Sequence, residues 1–325
     1  MFSESEMDLR RKMPPKASYT VELNADQAEV LRAAVRRRGF EFREVPHALF
    51  AAAGPKVQVV AYRSGKCVVQ GKGTEEFVQF VLEPEVTGLA MLGYEKVHNP
   101  RAYESHIGVD ESGKGDFFGP LVTAGVYADD AAIELLVAAG VRDSKSVTSD
   151  KRVAELAELI GGTSGVRAEV IAISPVKYNE LQGKMRTVNE VLGWAHAKVI
   201  ENMLGRVTCA RAVSDQFART EWTIRKHLGP RGRAIELEQR HKAESDPVVA
   251  AASIIARDRF VKAMDAIGKD LGEKIPLGAS AAVKALAVRL VRRHGAEVVA
   301  RVVKTHFKTW GEVLREAGCQ GEGDK

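Results

Sequence analysis

Gly108-Val109-Asp110-Glu111-Ser112-Gly113-Lys114-Gly115-Asp116-Phe117-Phe118-Gly119-Pro120 is the stretch on which the reading of this chain turns. Ile107–Asp110 is an apolar strand candidate that ends in two adjacent carboxylates, and a lysine between glycines follows at once. Neighbouring strand residues point to opposite faces, so Asp110 and Glu111 converge on one site only if the strand bends or twists there. Taken alone, such an Asp-Glu pair is more often a polar turn between two strands. Two nucleotide-binding readings fail. Gly108 to Lys114 satisfies half of a P-loop, but Gly115 stands where a Ser or Thr would hold Mg2+, and Pro120 interrupts the helix that should follow. Both acids would also repel an anion in that cradle. The spacing of Gly113, Gly115 and Gly119 does not fit a dinucleotide fingerprint. The alternative is that glycine amides and Lys114 approach a phosphodiester while the carboxylates hold divalent metal beside it.

Mg2+ takes oxygen ligands and usually only one or two carboxylates, keeping waters. Two such ions roughly 3.5–4 Å apart can clamp the attacking and leaving oxygens of a phosphoryl displacement. That chemistry needs three or four acids from separate elements. Asp215 follows the apolar run Ala210–Ser214, again at a strand end, where a plain turn residue is the simpler reading. A further pair stands before the Ala-rich run Pro247–Arg257, which allows close packing against a sheet. Asp246 precedes Pro247, a good first helical residue, and is a natural N-cap whose oxygens the backbone amides would occupy. Glu244 lies just outside that helix and is the favoured fourth carboxylate. Asp143-Ser144-Lys145, ahead of a helix capped by Thr148 or Ser149, offers donors suited to a phosphate oxygen, or is simply a solvated loop.

The chain has 325 residues, 48 Lys+Arg against 43 Asp+Glu, a net charge of +5 and a pI near 9.0. With 45% hydrophobic and 28% charged residues it is neither a disordered tail nor collagen-like. The mild basicity permits a nucleic-acid partner without arguing for one. No run of about 18 uncharged apolar residues predicts a membrane span, and the polar N-terminus lacks the apolar region of a secretory signal. Cys67, Cys209 and Cys319 are odd in number and far apart, so neither a disulfide framework nor a zinc motif follows, and a reducing cytoplasmic setting is expected.

Residues 1–17 read as a flexible leader and 18–83 as a compact α+β unit. The unit has the order β-α-β-β-β-β-α: strands at Ser18–Leu23, Phe40–Val45, Ala48–Ala53, Val57–Tyr62 and Cys67–Gln70, a helix capped by Asn24 with Gln27 at capping-box spacing, and a second helix capped by Thr74. Residues 84–103, with their prolines and glycines, read as a linker. Residues 104–318 alternate strand and helix signals, which predicts an α/β domain with a mixed sheet, and 319–325 as a frayed tail. Further strands are expected at Leu121–Tyr127, Ala210–Asp215 and Ala234–Glu238. Helices are expected at Ser149–Ile160, Val188–Leu204, Pro247–Ile267, Ala281–Arg293 and Gly295–Lys304. Without heptads or a self-complementary face, a monomer is expected.

Taken together, DESGKGDFFGP (110–120), DSK (143–145), SDQF (214–217) and KAESDPVVAAASIIAR (242–257) resemble the type 2 ribonucleases H, in that family's order. The Gly-Lys-Gly loop, the Asp-Glu-Asp-Glu set completed by Glu244, and His306-Phe307-Lys308-Thr309 look like ribonuclease HIII rather than HII. YRSGKCVVQGKG (62–73) is similar to the HIII N-terminal substrate-binding domain, itself like half of a TATA-binding protein. The resemblance implies an RNase H-like fold and a Mg2+- or Mn2+-dependent endonuclease acting on the RNA of RNA/DNA hybrids, leaving 5′-phosphate and 3′-hydroxyl ends. It implies metal ligation and catalysis by Asp110, Glu111, Asp215 and Glu244. Nucleic-acid contacts are expected from Gly113, Lys114, Gly115, Ser144 and Lys145, and from Tyr62, Lys66 and Lys72 of the first unit, with Tyr62 as readily a core residue. Two other outcomes stay open: HII-like incision at single ribonucleotides in duplex DNA, and a hybrid-binding protein without catalysis.

Overall fold

The computed structural model describes residues 18–88, 99–141, 147, 149–241 and 243–319, with Glu244 described by its backbone. The chain divides into two units, Met1–Arg101 and Ala102–Lys325.

In the first unit β1 (Ser18–Glu22), β2 (Glu41–Arg43), β3 (Ala48–Ala53), β4 (Gln58–Tyr62) and β5 (Lys66–Gln70) form an antiparallel sheet in the order β1-β5-β4-β3-β2. Helix α1 (Ala25–Arg37) starts on the expected capping box: Asn24 Oδ1 accepts from the Gln27 amide at 2.8 Å, and Gln27 Oε1 accepts from the Asn24 amide at 3.0 Å. Leu31, Ala34 and Val35 pack with Phe50, Val59, Cys67 and Val69. Burial pushes the Cys67 thiol up to about 12, so this cysteine is a core residue and not a nucleophile. Two expectations are corrected. Gly73, not Thr74, is the residue before helix α2 (Thr74–Phe77), because the Thr74 hydroxyl turns back to donate to the Gly71 carbonyl at 2.8 Å. The helical path then continues as a π-helix, Val78–Thr87, straight through Pro84 into the stretch read as linker, because Val81, Leu82 and Val86 are still core residues. Residues 89–98 lie outside the described residues.

The second unit is built on β6 (His106–Ser112), β7 (Leu121–Ala128), β8 (Val166–Ile173), β9 (Arg211–Asp215) and β10 (Glu236–Arg240), ordered β10-β9-β6-β7-β8. β10, β9 and β6 run parallel, and β7 and β8 are antiparallel, which makes the sheet mixed as expected. Helices α3 (Asp130–Ala138), α4 (Asp150–Gly162), α5 (Pro175–Met185), α6 (Val188–Leu204), α7 (Trp222–Arg225), α8 (Pro230–Arg233), α9 (Pro247–Leu271), α10 (Ala281–His294), α11 (Ala296–Ala300) and α12 (Lys308–Ala317) surround it. α6 covers one face, where Ala197, Val199, Ile200 and Met203 meet Ile107, Val109 and Ala212. α9 covers the other.

Gly108 explains how close α9 comes. A Cβ there would lie 2.4 Å from the Val248 carbonyl carbon and the Val249 amide nitrogen. Helix backbone therefore rests directly on the strand, two residues before Asp110, and the Ala250–Ala252 run keeps the following turn equally flat. Gly108→Ala forces backbone against backbone. It is expected to lower stability by about 3 kcal/mol and to lift the α9 start off β6, cutting cleavage per folded molecule. Thermal melts and single-turnover rates on the soluble fraction would show both.

Candidate active site

The strand pairing decides which acids meet. In the β6–β9 register Gly108 faces Val213 and Val109 faces Ser214, so the next step aligns Asp110 with Asp215 on adjacent parallel strands. Both side chains leave on the α9 face. The Asp110 carboxylate accepts from the Glu111 amide at 2.8 Å and from the hydroxyl of Ser253, two turns into α9. Burial first, and then the Glu111 and Asp215 charges, push Asp110 up to about 7 despite those hydrogen bonds. Asp215 Oδ1 accepts from the Ala243 amide at 3.0 Å. That bond fixes the 3-10 turn Ala243–Ser245, whose middle residue is Glu244, beside the end of β9.

Asp246 is occupied elsewhere, as its capping role predicts. It is fully buried, and Oδ1 accepts from the Val248 and Val249 amides at 2.9 and 3.2 Å. His106 Nε2 lies 2.9 Å from Oδ1, and Arg240 Nη2 lies 3.0 Å from Oδ2. Burial alone would raise this carboxyl; the His106 contact and the amide bonds outweigh it and hold the group below its ordinary value.

Glu111 takes a different path. The β6–β7 ladder stays regular through Glu111↔Thr123 and Ser112↔Val122, so Glu111 leaves on the α6 face, yet at the end of the strand its charge still acts on Asp110. There Oε2 lies 3.1 Å from His196 Nε2, and Oε1 lies 3.8 Å from the Lys114 ammonium. The Lys114 Nζ also stands 5.4 Å from the centroid of the Phe217 ring. Among the described residues no group of three or more His, Cys, Asp or Glu side chains is gathered as an ion would hold them. The donor set nonetheless suits a hard divalent cation. It consists of carboxylate oxygens at adjoining strand ends, with a buried acid whose ionisation two neighbouring negative charges oppose.

The glycine loop between β6 and β7 is held from both sides. Gly113 has φ +88°, and a Cβ there would strike the Pro120 carbonyl oxygen at 2.4 Å. Gly115 differs: its φ is not left-handed, and among the described residues nothing lies within 4 Å of a Cβ. From the far end of the chain, the fully buried Lys304 ammonium donates to the carbonyls of Asp116 at 2.8 Å, Gly119 at 2.7 Å and Phe118 at 3.4 Å. Burial pulls this amine down to about 7. Phe117 and Phe118 anchor the same loop in the core with Phe260, Val299 and Val303.

Among the nucleic-acid candidates, Lys66 and Lys72 are exposed, and Tyr62 is half-buried at the end of β4. Ser144 and Lys145 lie outside the described residues; the helix after them is capped by Ser149, whose hydroxyl accepts from the Arg152 amide. His106, His196 and Lys304 belong to no motif in the sequence, and Ser253, within 242–257, is not among the expected site residues. His196 carries a signal, a polar residue on the buried face of α6 with Val191, Leu192, Ala195, Ala197, Val199 and Ile200.

A mixed five-stranded sheet whose central strand ends beside a neighbour in paired acids is the architecture of an RNase H-like nuclease, and residues 107–310 match the ribonuclease HII family. Residues 20–89 match a domain of unknown function (DUF3378). Ribonuclease HIII of Chlamydia pneumoniae is 41% identical over 95% of this chain and all of its own length. Ribonuclease HIII of Chlamydia trachomatis serovar L2 is 41% identical over 92% of this chain and 98% of its own. The crystal structure of Bst-RNase HIII in complex with Mn2+ superposes with a TM-score of 0.63 at 27% identity, covering 94% of this chain and all of that one. The chain belongs to the ribonuclease HIII family. It is a type 2 ribonuclease H, an endonuclease that acts on phosphodiester bonds.

Proposed function

We propose that this enzyme hydrolyses the RNA strand of RNA/DNA hybrids at a divalent-metal site formed by Asp110, Glu111, Asp215 and Glu244, leaving 5′-phosphate and 3′-hydroxyl ends. The observation that carries the reading is the alignment of Asp110 with Asp215 at the ends of adjacent strands, with Asp110 held near 7 by burial and like charge. Bound there, Mg2+ or Mn2+ would activate the attacking water and neutralise the departing 3′ oxygen. Asp110, between Glu111 and Asp215, is suited to face both ions. The Ala243 amide aims Asp215, and the same turn supplies Glu244. Asp246 is spent on the helix start and holds the turn in place.

Lys114 stands at the mouth of the site, partly exposed, and positions the phosphodiester. The amides of Gly113 to Gly115 read the strand and its 2′-hydroxyls, the groups that distinguish RNA from DNA. Gly115 supports this assignment, since neither its φ nor its neighbours among the described residues require glycine, whereas a strand approaching the backbone would. Gly115→Ala is expected to leave the melting temperature within about 1 °C and to weaken hybrid binding roughly tenfold (about 1.4 kcal/mol). Fluorescence anisotropy in Ca2+ would measure it. Ser144 and Lys145 are assigned a neighbouring phosphate. Tyr62, Lys66 and Lys72 are assigned to hybrid affinity, which should fall steeply with salt as counterions are released.

Among the described residues no helix is long and apolar enough to cross a membrane. We place the enzyme in the cytoplasm as a monomer, which sedimentation would check. The deciding assay compares a uniform hybrid with a duplex carrying one ribonucleotide, in Mg2+, in Mn2+ and in EDTA. Metal-dependent cleavage of the uniform hybrid along the RNA is expected. Preference for the single ribonucleotide would replace the proposal with HII-like incision, and binding without product would leave a hybrid-binding protein.

A further inference from the structure

On the α6 face of the sheet, His196 makes two hydrogen bonds that point to different parts of the site. The ring is fully buried and lies 4.8 Å from the Phe217 ring. Nε2 is 3.1 Å from Glu111 Oε2, and Nδ1 is 3.0 Å from the Ser214 hydroxyl. An ionised carboxylate only accepts, so Nε2 carries the hydrogen of the first bond. Ser214 precedes Asp215 on β9, and its hydroxyl is also 3.1 Å from the Asp215 carbonyl. One imidazole thus links the ends of the two strands that bear the acids.

Glu111 has three side-chain torsions and, leaving on the opposite face from Asp110 and Asp215, nothing in its own strand to fix them. Thr123, directly across the β6–β7 pair, has a buried hydroxyl with no hydrogen-bond partner among the described residues, so it does not hold the carboxylate. We propose that His196 is a positioning residue for Glu111: it pins Oε2 through Nε2 and leaves Oε1, on the Lys114 side, as the oxygen presented to a divalent cation. This rests on the reading of Glu111 as a metal ligand. It follows the general requirement that a site acid be oriented by a neighbour that packing itself locks.

The two nitrogens can be separated by substitution, because the amide nitrogen of Gln falls near Nε2 and that of Asn near Nδ1. His196→Gln keeps a donor for Glu111, and His196→Asn keeps only a partner for Ser214. With both variants folded by thermal melt, His196→Gln is expected to bind Mn2+ within threefold of the wild type by calorimetry without substrate. His196→Asn is expected to bind at least tenfold more weakly. The Mn2+ concentration for half-maximal cleavage should move in parallel, with KM for hybrid constant in both. In the metal-free protein, a slowly exchanging imidazole proton on Nε2 should be visible by NMR and should shift in Glu111→Gln. Equal Mn2+ affinity in the two variants, or loss in His196→Gln alone, overturns the proposal, the latter by showing that His196 acts only through Ser214. If Glu111→Gln cleaves and binds Mn2+ like the wild type, the metal-ligand reading itself falls. If Glu111→Gln is inactive and both His196 variants behave alike, only the positioning role falls.

Discussion

Asp110→Asn is expected to abolish cleavage and, at pH 8, to raise the melting temperature of the metal-free protein. The two effects share a cause. Burial and the neighbouring Glu111 and Asp215 charges lift the Asp110 carboxyl from 3.8 to about 7. A carboxylate whose folded pKa lies above its unfolded one opposes folding once ionised. Below about pH 4 the group is protonated in both states and costs nothing. Between pH 4 and 7 the metal-free fold loses stability as pH rises, and above 7 the penalty is complete, about 4 kcal/mol at its upper limit. Asn keeps the shape and sheds the charge, so the melting temperature should rise by several degrees at pH 8 and change little at pH 4. Cleavage should fall at least a thousandfold, about 4 kcal/mol of barrier, because the charge that destabilises the empty fold is the one that would hold the ions. Hybrid affinity in Ca2+ should stay within a few-fold. A variant that cleaved normally, or melted lower at pH 8, would remove Asp110 from the metal site.

Asp246→Ala and Glu244→Gln are expected to fail in opposite ways. Asp246 is fully buried and meets two α9 amides, His106 and Arg240. Removing it leaves those donors facing an empty carboxylate site, at a cost of about 3–5 kcal/mol. The melting temperature should drop by about 10 °C, with cleavage per folded molecule reduced far less than total activity. Because the Asp246 carboxyl is held below its ordinary value, its contribution is complete above about pH 4 and is lost on acidification below that. Glu244→Gln should leave the melting temperature within about 2 °C and cut cleavage at least a hundredfold (about 3 kcal/mol). Melts paired with rates on both variants distinguish the assignments. The reversed pattern would make Asp246 the fourth ligand.

The elements legible in the chain were those with local chemistry at their ends. α6 runs Val188–Leu204 as expected because Thr187 caps it, its hydroxyl accepting from the Glu190 amide at 3.2 Å. α9 starts at Pro247 because Asp246 and Pro247 define a helix start between them. It ends four residues beyond the expected Ile267, since its later turns carry charges on the outer side and only Phe260, Met264 and Leu271 are buried. β8 is not legible in the sequence: it is an edge strand with only its two end residues buried, so Val166–Ile173 shows no clean alternation. At the site, residue parity puts Asp110 and Glu111 on opposite faces, as the regular ladder does, and only their place at the strand end brings their charges within reach of each other. Their companions could not be read, because His196 is 85 residues from Glu111 and becomes its neighbour only when α6 packs on the sheet.

The Lys304 ammonium has a consequence for how the enzyme is made. It caps carbonyls 185 to 188 positions earlier in the chain, in the loop that follows the first two acids. A ribosome that has released the whole sheet has still not delivered this cation. Until that lysine emerges, the loop lacks the donor that neutralises its inward-facing oxygens. Nascent chains and premature-stop fragments ending before that lysine can therefore carry Asp110, Glu111, Asp215 and Glu244 and still lack the cation that holds the loop beside them.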